Sequence, residues 1–255
     1  MDHLDLGNVI PPAVLGVDIG QKRDPTALCL VEADTATDRP VFVTRRLERL
    51  PLGTPYPQVA ARLIQLVDNL RARDRDAIRA AVFDQTRALP YGFQQAAGDR
   101  SVVCRIDVTG VGRPVLDLLT KPLRERDVRI EAMTFTHGDR LTHADGEWRL
   151  GKGYLVSRLQ VLLQELRIKL PSDDPEAAAL VSELENYQIR IPTDGNEKYG
   201  AFSVGSHDDL ATALGLAVLR DPAPWSRPAS AEDIRRVMEG DFYDGNEDPW
   251  GDWRA

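Results

Sequence analysis

Two apolar runs in this chain each close on an aspartate just ahead of a glycine turn. They are residues 14–19 (VLGVDI), before Gly20, and 101–108 (SVVCRIDV), before Thr109-Gly110. Short apolar runs rich in β-branched residues and bounded by turn formers are strand signals. Aspartate is disfavoured inside a strand and costly to bury without a partner. Taken singly, Asp18 and Asp107 each also read as strand-end residues shaping a turn. Two such strands in one sheet, however, can bring both carboxylates to one edge. Carboxylates gathered that way suit a hard divalent cation, because Mg²⁺ and Mn²⁺ prefer oxygen ligands.

The remaining pattern supplies the sheet. Residues 26–32 (TALCLVE) and 41–49 read as two further strands, with Asp24-Pro25 and the DTATDRP stretch as turns. Three strands on short links predict an antiparallel meander. Val59, Leu63, Leu66, Val67 and Leu70 recur at helical spacing and predict a helix over 57–73. Residues 78–83 read as a strand that ends at Asp84, a spare carboxylate. Gly110-Val111-Gly112 opens a helix over 114–126, with Pro114 in its first turn, where the missing N–H has no intrahelical partner. A strand over 128–134 follows. The polar, glycine-containing stretch 136–153 reads as a β-hairpin or a loop. Helices are expected over 152–166, 175–184 and 207–219, and short strands over 167–170 and 187–191. Strands first, then strands and helices in alternation, predict a mixed α/β sheet. Residues 1–13 form a lead-in, 14–220 one domain, and 221–255 an acidic, loosely ordered tail.

A third acidic feature lies at Ser206-His207-Asp208-Asp209, where the last apolar helix (ATALGLAV) begins. Serine or aspartate at an N-cap and acids in the first turn are ordinary helix chemistry. All three features together and in order support a stronger reading. A strand aspartate early, another mid-chain and a helix-start aspartate late can hold two divalent ions. Such a pair activates a water on one side of a phosphodiester and stabilises the leaving oxygen on the other. Adjacent helical side chains diverge by about 100°, so one of Asp208 and Asp209 is expected to point into the site, and the sequence does not say which. Asp24, six residues after Asp18 across a turn, can reach back as a further ligand. His207 is an accessory candidate for positioning water or phosphate.

The net charge of −8 argues against a partner held by phosphate neutralisation. The charge is uneven, however. Residues 231–255 carry eight acids against three bases, so about −3 remains on the rest. Lys22, Arg23, Arg113, Arg140, Arg149, Lys152 and Arg158 are the basic candidates for phosphate contact, with Lys22 and Arg23 bordering the first aspartate. Weak, sequence-independent DNA binding with steep salt dependence is the expectation. No apolar run approaches the roughly 18 residues of a membrane span, and no basic-then-apolar leader is visible. Cys29 and Cys104 sit in apolar strands without a CxxC pair and read as buried and reduced, in a cytoplasmic protein.

Four segments together resemble the nuclease domain of phage terminase large subunits, which cut concatemeric DNA during genome packaging. They are GVDIGQKRDPTALCLVE, IDVTGVGRPVLDLL, EWRLGKGYLVSRLQVLLQELRIKLP, and the run from LVSELENYQIRI to GAFSVGSHDDLATALGLAV. They span about residues 14–220. The resemblance implies a ribonuclease H-like fold and an endonuclease using Mg²⁺ or Mn²⁺. Asp18, Asp107 and one or both of Asp208 and Asp209 would bind metal, with Asp24 as an additional acidic position. It implies double-stranded DNA as substrate, a monomer in isolation, and as partners a separate packaging ATPase, a small terminase subunit or a portal. Trp250 and Trp253 in the tail could anchor it to such a partner. Terminase large subunits normally carry an ATPase ahead of the nuclease. Here no G-x-x-x-x-G-K-[ST] stretch exists, GVGRPV has the wrong spacing, and the 13 residues before the first strand cannot hold that domain. The expectation is an excised domain or a stand-alone nuclease without ATP hydrolysis. Rival readings are another ribonuclease H-like nuclease, such as a Holliday-junction resolvase or an integrase, and a non-catalytic DNA-binding or packaging-assembly module.

Overall fold

The structure, a computed structural model, describes residues 12–20, 24–34, 39–84, 102–110, 113–144, 146–172, 174–186 and 208–221; at 77–84, 113 and 186 only the backbone is described. Strands β1 (Ala13–Asp18), β2 (Ala27–Asp34) and β3 (Val41–Arg49) form the expected antiparallel meander. On the other side of β1 the chain adds β4 (Val102–Asp107) and then β5 (Val128–Thr136), both parallel to it. A hairpin of β6 (Leu141–Ala144) and β7 (Glu147–Gly151) extends that edge, and β8 (Ile168–Lys169) joins β3. The sheet order is β6-β7-β5-β4-β1-β2-β3-β8. An antiparallel meander with parallel strands beside its first member, flanked by helices, is the ribonuclease H-like mixed sheet expected above.

Alternation along each strand divides the side chains between two cores. Ala13, Leu15 and Val17 of β1 and Leu28 and Leu30 of β2 join Cys104 and Ile106 of β4. They pack against helices α1 (Tyr56–Asp84) and α2 (Arg113–Arg124). The opposite face carries Cys29, Val31 and Met133, covered by α3 (Lys152–Gln164), α4 (Pro175–Asn186) and α5 (Asp209–Ala217). Both faces of β2 are thus buried, which accounts for its unbroken apolar run. Cys29 and Cys104 lie on opposite faces as free, buried thiols, each with its pKa raised by burial.

Helix α5 is buried along all nine residues. It approaches β1 more closely than side chains normally allow, and Gly16 is the reason. A Cβ at Gly16 would lie 2.0 Å from the Ala213 carbonyl oxygen and 2.7 Å from the Ala217 nitrogen. At its C-terminal end α5 meets a buried cation. Arg105 of β4 donates to the carbonyls of Leu216 (3.0 Å) and Ala217 (3.3 Å) and to Glu131 Oε2 (2.8 Å). A positive charge there complements the helix dipole.

Two expectations change. Residues 78–83 are not a strand, because α1 continues without a break to Asp84. The stretch AIRAAVF holds three alanines and an arginine, strong helix formers, and extending an existing helix avoids a new nucleation step. Asp84 therefore ends a helix rather than a strand. Residues 136–153 do form a hairpin, closed by Gly146 at φ +76°. The strand expected over 187–191 lies outside the described residues. No helix among the described residues is long and apolar enough to cross a membrane.

Candidate metal centre

Strands β1 and β4 run parallel, and their last registered pair is Val17↔Ile106. The next residues are Asp18 and Asp107. The two carboxylates therefore stand side by side at the C-terminal ends of neighbouring parallel strands, where open α/β sheets place their ligand sites. Both side chains fall on the α5 face, since Asp18 is two residues from Gly16 and Asp107 two residues from Arg105. Helix α5 runs along β1 and begins at Asp209, with Asp208 as its N-cap residue. The close approach that Gly16 allows thus delivers a second pair of acids to the first pair. Asp18, Asp24, Asp107, Asp208 and Asp209 line one open cleft of about 390 Å³, together with Thr109, Phe135, Lys152 and Thr212.

Each wall of the cleft has a local cause. Gly20 lets Asp24 and Pro25 fold closely against the end of β1, because a Cβ there would lie 2.1 Å from the Asp24 carbonyl oxygen. That fold carries Asp24 to the cleft rim. Asp107 Oδ1 accepts the Thr109 N–H at 2.7 Å, and Thr109 Oγ1 accepts the Phe135 N–H at 2.7 Å. Thr109 therefore ties the end of β4 to β5 and fixes Asp107. Gly110, at φ +80°, completes the turn in a conformation that favours glycine. Lys152, the first residue of α3, reaches the cleft with its Nζ 5.7 Å from the Phe135 ring centre. It is the one basic residue lining the cleft among those described.

The electrostatics are those of crowded acids. Burial, and after it the carboxylates of Asp107, Asp209 and Asp208, hold the Asp18 pKa well above its ordinary value, with Lys152 opposing. Asp107 is also raised, mainly by burial, against the Thr109 hydrogen bonds and Lys152. Like charges in such a space repel, and a divalent cation among them would offset both the repulsion and the burial cost. The all-oxygen donor set fits Mg²⁺ or Mn²⁺. Among the described residues no three acidic, histidine or cysteine side chains are gathered tightly enough to hold an ion as they stand.

The start of α5 is held in an unusual way. Asp208 occupies the N-cap position, yet its side chain makes no capping hydrogen bond. The N–H of Ala211, which an N-cap side chain would normally satisfy, donates instead to Glu183 Oε2 of α4 at 2.8 Å. Glu183 is in turn paired with Arg49, the last residue of β3. Sequence reading missed Thr109, Arg49 and Glu183. Thr109 lies inside a segment already singled out, whereas Arg49 and Glu183 carry no local signal.

Other candidates fall elsewhere. Arg149 pairs with Thr134 and Thr142 and lies on the sheet face opposite the carboxylates. Arg158 donates to the Val218 carbonyl at 3.1 Å and to Asp221 at 2.6 Å. Arg140 is exposed in the turn before β6, and its carbonyl accepts the Gly151 N–H at 2.8 Å. Arg113 begins α2. Lys22, Arg23, His207 and the tail beyond residue 221 lie outside the described residues.

No family profile matches the sequence, and no curated protein matches it. Among solved structures, the chain is similar to Thermus thermophilus RuvC, with TM-score 0.35 and 14% identity over 81% of this chain and 91% of that one. It is similar to a manganese-soaked, inhibitor-bound human cytomegalovirus terminase nuclease domain, with TM-score 0.43 and 11% identity over 84% and 85%. It is also similar to the fowlpox virus Holliday junction resolvase, with TM-score 0.36 and 14% identity over 80% and 94%. Likenesses this distant concern the path of the chain and not its chemistry.

Proposed function

We propose that this chain is a divalent-metal-dependent endonuclease that cleaves double-stranded DNA with little sequence preference. By resemblance, its role is that of the terminase nuclease that cuts concatemeric viral DNA during packaging. One observation carries the reading. Asp18 and Asp107 end adjacent parallel strands and face the acids that open α5, in one cleft open to a large substrate. Asp18, Asp107 and the Asp208-Asp209 pair would hold one or two ions of Mg²⁺ or Mn²⁺, with Asp24 at the rim. A metal held there would supply an activated water and polarise the scissile phosphate, so no protein nucleophile is required. Lys152 would orient that phosphate from the opposite wall, and Arg140, Lys22 and Arg23 would meet the flanking backbone.

The test is plasmid cleavage by the purified chain in Mn²⁺, Mg²⁺ and EDTA, comparing wild type with Asp107→Ala. Nicking and linearisation are expected in Mn²⁺ or Mg²⁺ and none in EDTA. The variant should be slower by at least about 100-fold, as expected when a ligand of the reacting centre is removed. Cleavage that persists in EDTA, or an Asp107→Ala variant as fast as wild type, would overturn the proposal. Cleavage confined to four-way junctions would identify a resolvase instead.

A further inference from the structure

The acids at the head of α5 have a difficulty that the strand acids do not share. Asp18 and Asp107 are fixed by the sheet register. Asp208 and Asp209 ride on the end of a helix, and helix ends fray unless their free N–H groups are satisfied. If Asp208 capped its own helix, its carboxylate would turn back onto the backbone and away from the cleft. It makes no such bond. Glu183 supplies the acceptor from another helix, taking the Ala211 N–H at 2.8 Å.

Glu183 is itself held. It is buried, with 8% of its surface exposed, and its other oxygen pairs with Arg49 Nη2. Arg49 also donates from Nη1 to Glu176 Oε2 at 3.3 Å, about two helix turns back along α4. The Arg49 Nε is buried without a hydrogen-bond acceptor, and Asp209 Oδ2 lies 4.0 Å from it. One guanidinium thus grips α4 through two glutamates and faces the second acid of α5. It does so from the end of β3, two strands away from β1.

We propose that Arg49 and Glu183 are a positioning pair for the metal centre. They cap and brace the first turn of α5 so that Asp208 and Asp209 are held in the cleft wall with Asp18 and Asp107, and Asp208 is not drawn into capping its own helix. Neither residue lines the cleft. Both act through the backbone and charge of α5, as partners behind a ligand commonly do. The inference rests on the metal-nuclease reading above.

Its test uses the full chain. Mn²⁺ affinity is measured by isothermal titration calorimetry and, separately, as the Mn²⁺ concentration that half-activates plasmid cleavage. The proteins are wild type, Arg49→Gln, Arg49→Lys, Glu183→Gln and Leu180→Ala, all well below their melting temperatures. Leu180 is a fully buried core residue of α4 and serves as the control for simple loss of stability. Arg49→Gln and Glu183→Gln should weaken Mn²⁺ binding by about tenfold or more and raise the half-activating concentration in parallel, the usual effect of losing a partner behind a metal ligand. Arg49→Lys should recover part of that loss. Leu180→Ala should melt earlier but bind Mn²⁺ like wild type. If Arg49→Gln does not fold, Glu183→Gln and Arg49→Lys carry the comparison. Folded variants with wild-type Mn²⁺ affinity would overturn the pairing, as would a Leu180→Ala loss of affinity equal to theirs. A wild-type protein that binds no Mn²⁺ and cuts no DNA would overturn the metal-nuclease reading itself.

Discussion

At Asp18, burial and three neighbouring carboxylates push in one direction and Lys152 alone opposes them. Glu131 shows the reverse balance on the same face of the sheet. Burial pushes its pKa up, but the guanidinium groups of Arg105 and Arg220 outweigh burial and hold it below the ordinary glutamate value of 4.5. As pH falls, the unfolded chain therefore takes up this proton before the folded chain does. The stability Glu131 contributes is full above about pH 4.5 and is lost as pH drops through the lower folded value. Glu131→Gln should consequently flatten the acid limb of the stability curve. At pH 7 it should cost about 3 kcal/mol, because Arg105 is left buried without its counter-charge. Urea titrations at pH 7 and pH 3.5 check this. The gap between wild type and variant should shrink at the lower pH, and a gap that does not change would contradict the assignment. Site residues were legible one at a time where each sat in a segment with its own pattern, as Asp18 and Asp107 did at strand ends. Thr109 was in plain view, but its bond to Phe135 depends on β4 and β5 being neighbours.

Between elements, glycines mark where backbones touch, and two of them separate cleanly by physical cause. A Cβ at Gly16 would strike backbone atoms of α5, which cannot move without moving the helix. A Cβ at Gly215 would instead strike the Leu155 side chain, its Cδ2 at 2.5 Å and its Cγ at 2.7 Å, so a side chain rather than a backbone has to shift. Gly16→Ala should cost about 3 kcal/mol through overpacking. Gly215→Ala should cost less, about 1 kcal/mol, since a repacking cost of about 2 kcal/mol is partly offset by a gain of about 1 kcal/mol in helix propensity. Denaturant midpoints of the two variants check the contrast. Equal costs would mean that the β1–α5 contact is looser than described. Long periodic helices and the meander were readable at this scale. The misread segment, 78–83, is a short apolar run whose pattern fits either strand or helix, and its attachment to α1 decided the matter.

For the molecule as a whole, the charge of −8 is at odds with DNA binding unless the contacts are few and local. Lys152 is the one described base in the cleft, with Arg140, Lys22 and Arg23 as the further proposed contacts. Four phosphate contacts predict a slope of roughly −3.6 in log K against log salt. Fluorescence anisotropy with the inactive Asp107→Ala variant and a short duplex measures it. A slope near zero would remove phosphate contact as the basis of binding, and one near twice the expected value would require a basic surface beyond these four residues.

The sequence alone determined whatever depends on near neighbours along the chain. Apart from 78–83, it set the order of the described strands and helices, the placing of three acidic positions at strand ends and a helix start, and the apolar character that buries α5. Hydrophobic period, turn chemistry and the cost of burying a carboxylate are local properties, so they can be read locally. Tertiary structure decided how those positions meet. Register aligned Asp18 with Asp107, and the missing side chain at Gly16 brought α5 within reach of both. Arg49 and Glu183, 134 residues apart, took over the capping of that helix. No pattern in either segment announces the pair, because their bond exists only once β3 and α4 are folded against the same helix end.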